Sequence, residues 1–138
     1  MFFNKKKKTE EKDSYLVKIA ALFIHAAKID EKYSNEEEDI IKKALLELGA
    51  NQNNLDTLIN NAKQSEENAN QLLDFTKEIK KLEEPDKIKI IKTLWKIIYS
   101  NKDADMYETN LMRRLSGLLY IDSKTMGDIK EQIKKENS

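Results

Sequence analysis

The chain has no cysteine, one proline, three glycines and one histidine in 138 residues. Without cysteine there is no disulfide framework, no thiol nucleophile and no thiolate zinc site. A single imidazole excludes any site that needs two of them within one chain. One proline and three glycines are too few for the many turns of an all-β fold, and three isolated glycines cannot form a phosphate-cradling loop. Net charge is also absent: 25 basic residues balance 25 acidic ones. The basic excess of a dedicated nucleic-acid binder is therefore missing. No stretch reaches the ~18–20 apolar residues of a membrane span; the longest, Ile19 to Ala27, is interrupted by His25 and flanked by Lys18 and Lys28. Phe2 and Phe3 precede a lysine run, the reverse of the order in a secretory signal. The expectation is a single-domain, helical, cytoplasmic protein with no nucleic-acid partner.

What is present supports helices. Hydrophobic residues make up 39% and charged residues 36% of the chain, the mixture that amphipathic helices need. Residues 1–12 carry five Lys against two Glu and read as a solvated basic tail ahead of a domain spanning 13–138. Phe2, Phe3 and the lysines beside them allow weak contact with an anionic membrane surface. The first helix is expected to start at Asp13 or Ser14, with Leu16, Ile19, Ala20, Phe23 and Ala27 at helical spacing. Ser34-Asn35-Glu36-Glu37 is a capping box that opens a second helix, and Gly49 suits its left-handed stop. A short third helix is expected over 54–62. A fourth region, about 66–82 and open to being broken in two, carries Leu72, Phe75 and Ile79. Pro85 opens a fifth helix, to about 100, with Ile91, Leu94, Trp95 and Ile98 inward. Asp105-Met106-Tyr107-Glu108 repeats the capping pattern before Leu111, Leu115 and Leu118. A last helix, about 123–135, uses Met126, Ile129 and Ile133.

The two halves of the chain align with each other when Asp30 is set on Asn101. In that register Glu37 meets Glu108, Ile41 meets Met112 and Leu48 meets Leu119. Each half is an apolar helix, an acidic turn, a capped amphipathic helix and a shorter one. The predicted fold is therefore an all-α bundle of about seven helices with an internal pseudo-repeat, its core built on helices near 14–29 and 86–100.

The acidic turns are the candidate chemistry. Residues 30–39 hold six carboxylates against one lysine, and oxygen-rich turns suit hard divalent cations. Neither turn is an EF-hand: the sixth and twelfth positions are Asn35 and Ile41 in the first, Met106 and Met112 in the second, where glycine and glutamate are required. Two readings stand. Acidic residues at helix starts complement the positive helix end, and capping accounts for Glu37 and Glu108. Alternatively, Asp30, Glu37, Asn101 and Glu108 face one another across the halves as a looser cation site. His25 reads as a packing or surface histidine and Trp95 as core. The chain holds 23 lysines and only two arginines, the adjacent Arg113 and Arg114. Arginine retained against that background suggests that a planar, multi-donor fork is needed at one of them, bridging carboxylates such as Glu37 or Glu108.

Together these residues resemble the TerB-like family, the helical domain of tellurite-resistance TerB proteins, whose fold also forms the N-terminal region of the co-chaperone DjlA. The family pattern is a hydrophobic helix ending in Ala-Asp-Gly with Glu seven residues after the Asp, present twice. Here the copies read Ile29-Asp30-Glu31 with Glu37, and Ser100-Asn101-Lys102 with Tyr107-Glu108. Asp74, Phe75-Thr76, Leu94-Trp95, Leu111-Met112-Arg113-Arg114-Leu115 and Gly117-Leu118-Leu119-Tyr120 add to the likeness, which covers about residues 15–135. Both motif glycines are replaced, by Glu31 and Lys102, and the second Asp is Asn101. The resemblance implies a non-enzymatic, stress-associated domain that binds protein partners, with a divalent cation as its candidate cofactor at the acidic quartet. The other class left open is a ligand-binding or catalytic domain working in a cleft between the repeats.

Overall fold

Helix α1, Phe2–Lys28, is apolar on every side over its second half. Ile19, Ala20, Ala21, Leu22, Phe23, Ile24, Ala26 and Ala27 are each at most 3% exposed. Such a helix is stable only when enclosed, and the rest of the chain supplies the enclosure. The computed structural model describes residues 2–28, 34–69, 71–100 and 106–136, with side chains described from Ser14 onward and not for 106–109. After α1 come α2 (Asn35–Glu47), a 3₁₀ turn (Gln52–Asn54), α3 (Leu55–Asn68), α4 (Leu73–Ile79), α5 (Glu84–Ser100), α6 (Met106–Leu118) and α7 (Ser123–Glu136). The described residues contain seven α-helices and no strand, the all-α class that the sequence predicts. Helix α1 packs against α2, α3, α4 and α5, while α5 packs against α1, α2 and α7. One cluster of buried apolar side chains joins them, with Phe23, Phe75, Leu22, Ile91 and Leu94 among its largest fully enclosed members. Each such side chain contributes roughly 1.5–3 kcal/mol when fully buried. No described helix is long and apolar enough to cross a membrane.

The repeat is visible in the elements. The register that sets Asp30 on Asn101 also sets Asn35 on Met106 and Glu47 on Leu118, so α2 and α6 coincide at both ends. Each is 13 residues long. Both also stop the same way. At the end of α2, Ala50 N donates to Leu45 O at 2.9 Å and Gly49 N to Leu46 O at 3.1 Å. At the end of α6, Ile121 N donates to Ser116 O at 2.9 Å and Tyr120 N to Gly117 O at 3.3 Å. These paired bonds define a Schellman turn, whose central residue is left-handed. Gly49 takes φ 105° and Tyr120 φ 58°. Tyr120 has a Cβ and so bears the strain that glycine avoids. Lys87 offsets part of it: its Nζ donates to Leu119 O at 3.0 Å and sits 5.8 Å from the centre of the Tyr120 ring.

Two boundaries differ from the sequence reading, and the break that it left open in the fourth region is placed. Helix α1 starts at Phe2, well before Asp13 or Ser14. The lysine-rich stretch contains no glycine or proline, and it sets opposite charges four apart in sequence at Lys6 and Glu10 and at Lys7 and Glu11. Such residues favour helix without any apolar stripe. Helix α3 continues through the polar run to Asn68 rather than stopping near 62. The break in the fourth region falls before Leu73.

The Schellman turn yields a paired expectation. Gly49→Ala forces a side chain into the left-handed region and should lower unfolding free energy by about 1 kcal/mol or more. Gly117→Ala adds a methyl within α6, where a Cβ meets nothing within 4 Å, and should raise it by about 0.5–1 kcal/mol. Urea midpoints at constant m-value test both; a loss of stability in both variants would contradict the contrast between the two glycines.

Candidate functional site

The N-terminus of α2 carries the first acidic position. Ser34, extended at φ −90° and ψ 162°, accepts at its Oγ from Glu37 N at 3.1 Å. Glu37 Oε1 accepts in return from Ser34 N at 3.2 Å and Ser34 Oγ at 3.0 Å. Glu37 is 4% exposed, so this carboxylate is turned inward onto its own helix start. The capping box predicted from Ser34-Asn35-Glu36-Glu37 is present in both directions. Helix α6 begins directly after Asp105, the residue that the sequence assigns as its cap. Asp30 and Asn101 lie outside the described residues. The backbone of Glu108 belongs to α6, and its side chain is outside the described set. Among the described residues no group of three or more His, Asp or Glu is arranged to hold a metal ion.

His25 and Lys28, one turn apart on α1, both reach Glu66 on α3. Lys28 Nζ donates to Glu66 Oε2 at 2.9 Å, and His25 Nδ1 lies 3.4 Å from Glu66 Oε1. The imidazole also packs against Phe75, with ring centres 5.8 Å apart. This polar clip ties α1 to α3, and Lys28 also complements the negative end of its helix. His25 therefore has a packing role, as its mid-helix position predicts.

A cleft of about 210 Å³ opens between α5, α6 and α7, lined by Trp95, Met112, Arg113, Ser116, Gly127 and Lys130 among others. Trp95 is 4% exposed, which bears out its place in the core. Its ring stacks on Tyr99 at 5.7 Å and carries Lys130 Nζ at 5.5 Å from its centre, a cation–π arrangement. The indole Nε1 is buried without a hydrogen-bond partner among the described residues. Arg113 and Arg114 are both exposed on α6, and neither guanidinium ion-pairs with a described carboxylate. Sequence reasoning singled out Arg113 by its rarity but missed Ser116, Gly127 and Lys130. The one signal for them was an interior glycine in α7, placed beside Met126.

Among the described residues, Tyr99 and Asp122 depart from their ordinary values. Burial and the charge of Glu131 push the Tyr99 phenol up. The amide and hydroxyl of Thr125, bonding Asp122 at 2.8 and 2.9 Å, hold that carboxyl below the usual range. Asp122 is the cap of α7.

The family model for "Tellurite resistance protein TerB" matches residues 16–131. The chain belongs to the TerB family. Neither curated proteins nor solved structures provide a significant match. The TerB match begins at Leu16, the first buried residue of α1 among those whose side chains are described, and ends at Glu131 within α7. It thus takes in the two turns, the Glu66 clip and the cleft, while the lysine-rich start of α1 falls before it.

Two caps of this TerB fold give measurable consequences. Ser34→Ala removes the acceptor for Glu37 N and a donor to a buried carboxylate; unfolding free energy should fall by about 1 kcal/mol, read from thermal or urea denaturation. For Asp122, a folded value below the unfolded ~3.9 stabilises above that pH and is lost as pH falls through the folded value. The thermal midpoint of wild type should therefore fall more steeply than that of Asp122→Asn below about pH 4. Parallel acid profiles would mean that the charge of the cap contributes nothing.

Proposed function

We propose that this TerB-family domain is a non-enzymatic binding module of the tellurite-resistance and stress-response type. It engages protein partners at its surface and carries a weak divalent-cation site at its acidic turns. The observation that carries the reading is the composition of the interior. The buried polar or charged residues among those described are Glu37, Thr76 and Thr93. Thr93 Oγ1 donates to Lys89 O within its own helix at 2.9 Å, and Glu37 is held by Ser34. A catalytic domain needs a nucleophile or an acid–base pair opening into a pocket; in this buried set the one hydroxyl without a described partner, Thr76 Oγ1, is enclosed at 1% exposure. Apolar filling gives rigidity, and rigid helices suit the presentation of surface groups.

The acidic quartet enters this proposal through charge and position. Asp30 precedes α2 in the chain and Glu37 lies in its first turn, and Asn101 and Glu108 hold the equivalent positions at α6. Oxygen ligands from two such turns suit Mg²⁺, Ca²⁺ or Mn²⁺ better than softer ions. Replacement of an Asp by Asn101 removes one charge, so binding should be weak. Calorimetric titration with Mg²⁺, Ca²⁺, Mn²⁺ and Zn²⁺ tests it. At least one hard cation should bind more tightly than millimolar to wild type, and Asp30→Ala or Glu108→Ala should weaken it at least tenfold. No binding tighter than millimolar by any of the four ends the cation site.

A further inference from the structure

The two halves of the bundle are not equally filled. The register that sets Asp30 on Asn101 gives the cleft between α5, α6 and α7 a counterpart in the first half. Trp95 corresponds to Ile24, Met112 to Ile41, Ser116 to Leu45 and Lys130 to Ile59. The four first-half residues are at most 2% exposed, so that position is solid apolar core. In the second half a serine and a lysine stand where a leucine and an isoleucine fill the first, and a cleft of about 210 Å³ results. The cations differ in the same sense. Arg113 corresponds to Lys42, which pairs with Asp56 at 3.5 Å. The counterpart of Asp56 is Gly127, which supplies no carboxylate and whose added Cβ would meet nothing within 4 Å. Arg113 has kept the cation, upgraded it to a bidentate fork, and lost its internal acid.

We propose that this cleft binds a peptide segment of a partner protein through a carboxylate set beside an apolar side chain. The carboxylate takes the place that Asp56 holds in the first half, against Arg113 and Lys130, while the apolar group rests on Trp95 and Met112. Guanidinium matches a carboxylate with two parallel donors. Lys130 adds a second positive charge, and neither cation is neutralised by a described carboxylate. The cleft is open to solvent and smaller than the roughly 300–1,000 Å³ of sites that enclose a whole small molecule, which favours the tip of a larger ligand. This inference rests on the reading of the domain as a binding module and names the chemistry of its partner.

Trp95 is the only tryptophan in the chain, so its emission and its indole ¹H–¹⁵N resonance report on the cleft directly. Two probes are titrated into the full chain: acetyl-Gly-Ser-Glu-Leu-Gly-amide, with a side-chain carboxylate, and acetyl-Gly-Ser-Gly-Ser-Leu, with a free terminal one. At least one should saturate both signals below 1 mM, and the same peptide with its carboxylate converted to the amide should bind at least tenfold more weakly. Arg113→Lys should weaken binding about tenfold. Gly127→Asp, which restores the internal acid of the first half, should weaken it as much while leaving the circular dichroism and melting point intact. The double variant Ser116→Leu with Lys130→Ile, which refills the cleft, should abolish binding. The proposal is overturned if neither peptide saturates the signals, if the amide analogue binds equally, or if a folded Gly127→Asp binds undiminished. Sodium hexanoate binding as tightly as the peptides would overturn the peptide assignment in favour of a free acid. A negative result here leaves the cation titration untouched, so the two readings fail separately.

Discussion

Everything in this molecule depends on enclosing the second half of α1. A helix with Leu22, Phe23 and Ile24 as three consecutive fully buried residues has little solvent face beyond His25 and Lys28, and isolated in water it would expose apolar surface on most sides. Alanines at 20, 21, 26 and 27 thin the rod so that neighbours on several sides approach closely. Helices α3 and α4 cover it on the N-terminal half of the fold, and α5 brings the second half against it. The bundle is therefore one cooperative body. Neither half of the repeat can keep its own central helix dry, because α2 of the first half packs on α5 of the second.

That mutual dependence explains which features were legible in the sequence. Local devices read out well. The capping box at Ser34 and Glu37 and the stop at Gly49 each involve residues within a few positions of one another, and the structure contains both. The repeat was legible because its register carries α2 onto α6 end to end, and both helices stop in the same turn. The central helices were legible because their apolar residues spread beyond a single stripe. The start of α1 at Phe2 and the continuation of α3 to Asn68 carry no apolar period, so hydrophobic patterning could not mark them. Glu66 shows the reason for α3. Its extension is held by a polar bond to Lys28, 38 residues away in sequence, and only the folded chain brings those groups together.

The same distinction applies to the candidate sites. The cleft at Arg113 is assembled from three helices, and its meaning lies in a contrast between halves rather than in any motif. Arg113 stood out by being one of two arginines among 23 lysines, but its surroundings did not. Glu37 shows the converse. Its acidity invites a metal reading, yet its Oε1 accepts two donors from Ser34. A single residue of an acidic turn can thus be a structural cap while the turn as a whole still gathers charge.

Duplication followed by unequal filling offers a physical route to an open surface cleft on a helical bundle. In the first half, Leu45 and Ile59 complete the core, and Lys42 finds Asp56 at the surface. The equivalent exchange in the second half loses the burial of two large side chains, each worth roughly 1.5–3 kcal/mol when complete. It also sets the Nζ of Lys130 over the Trp95 ring, 5.5 Å from its centre. Such a concession is tolerable because the first half, with α1 sealed, retains the packing that keeps the fold cooperative. The exchange leaves the second copy with an arginine that pairs with no described carboxylate, at an open, partly apolar cleft.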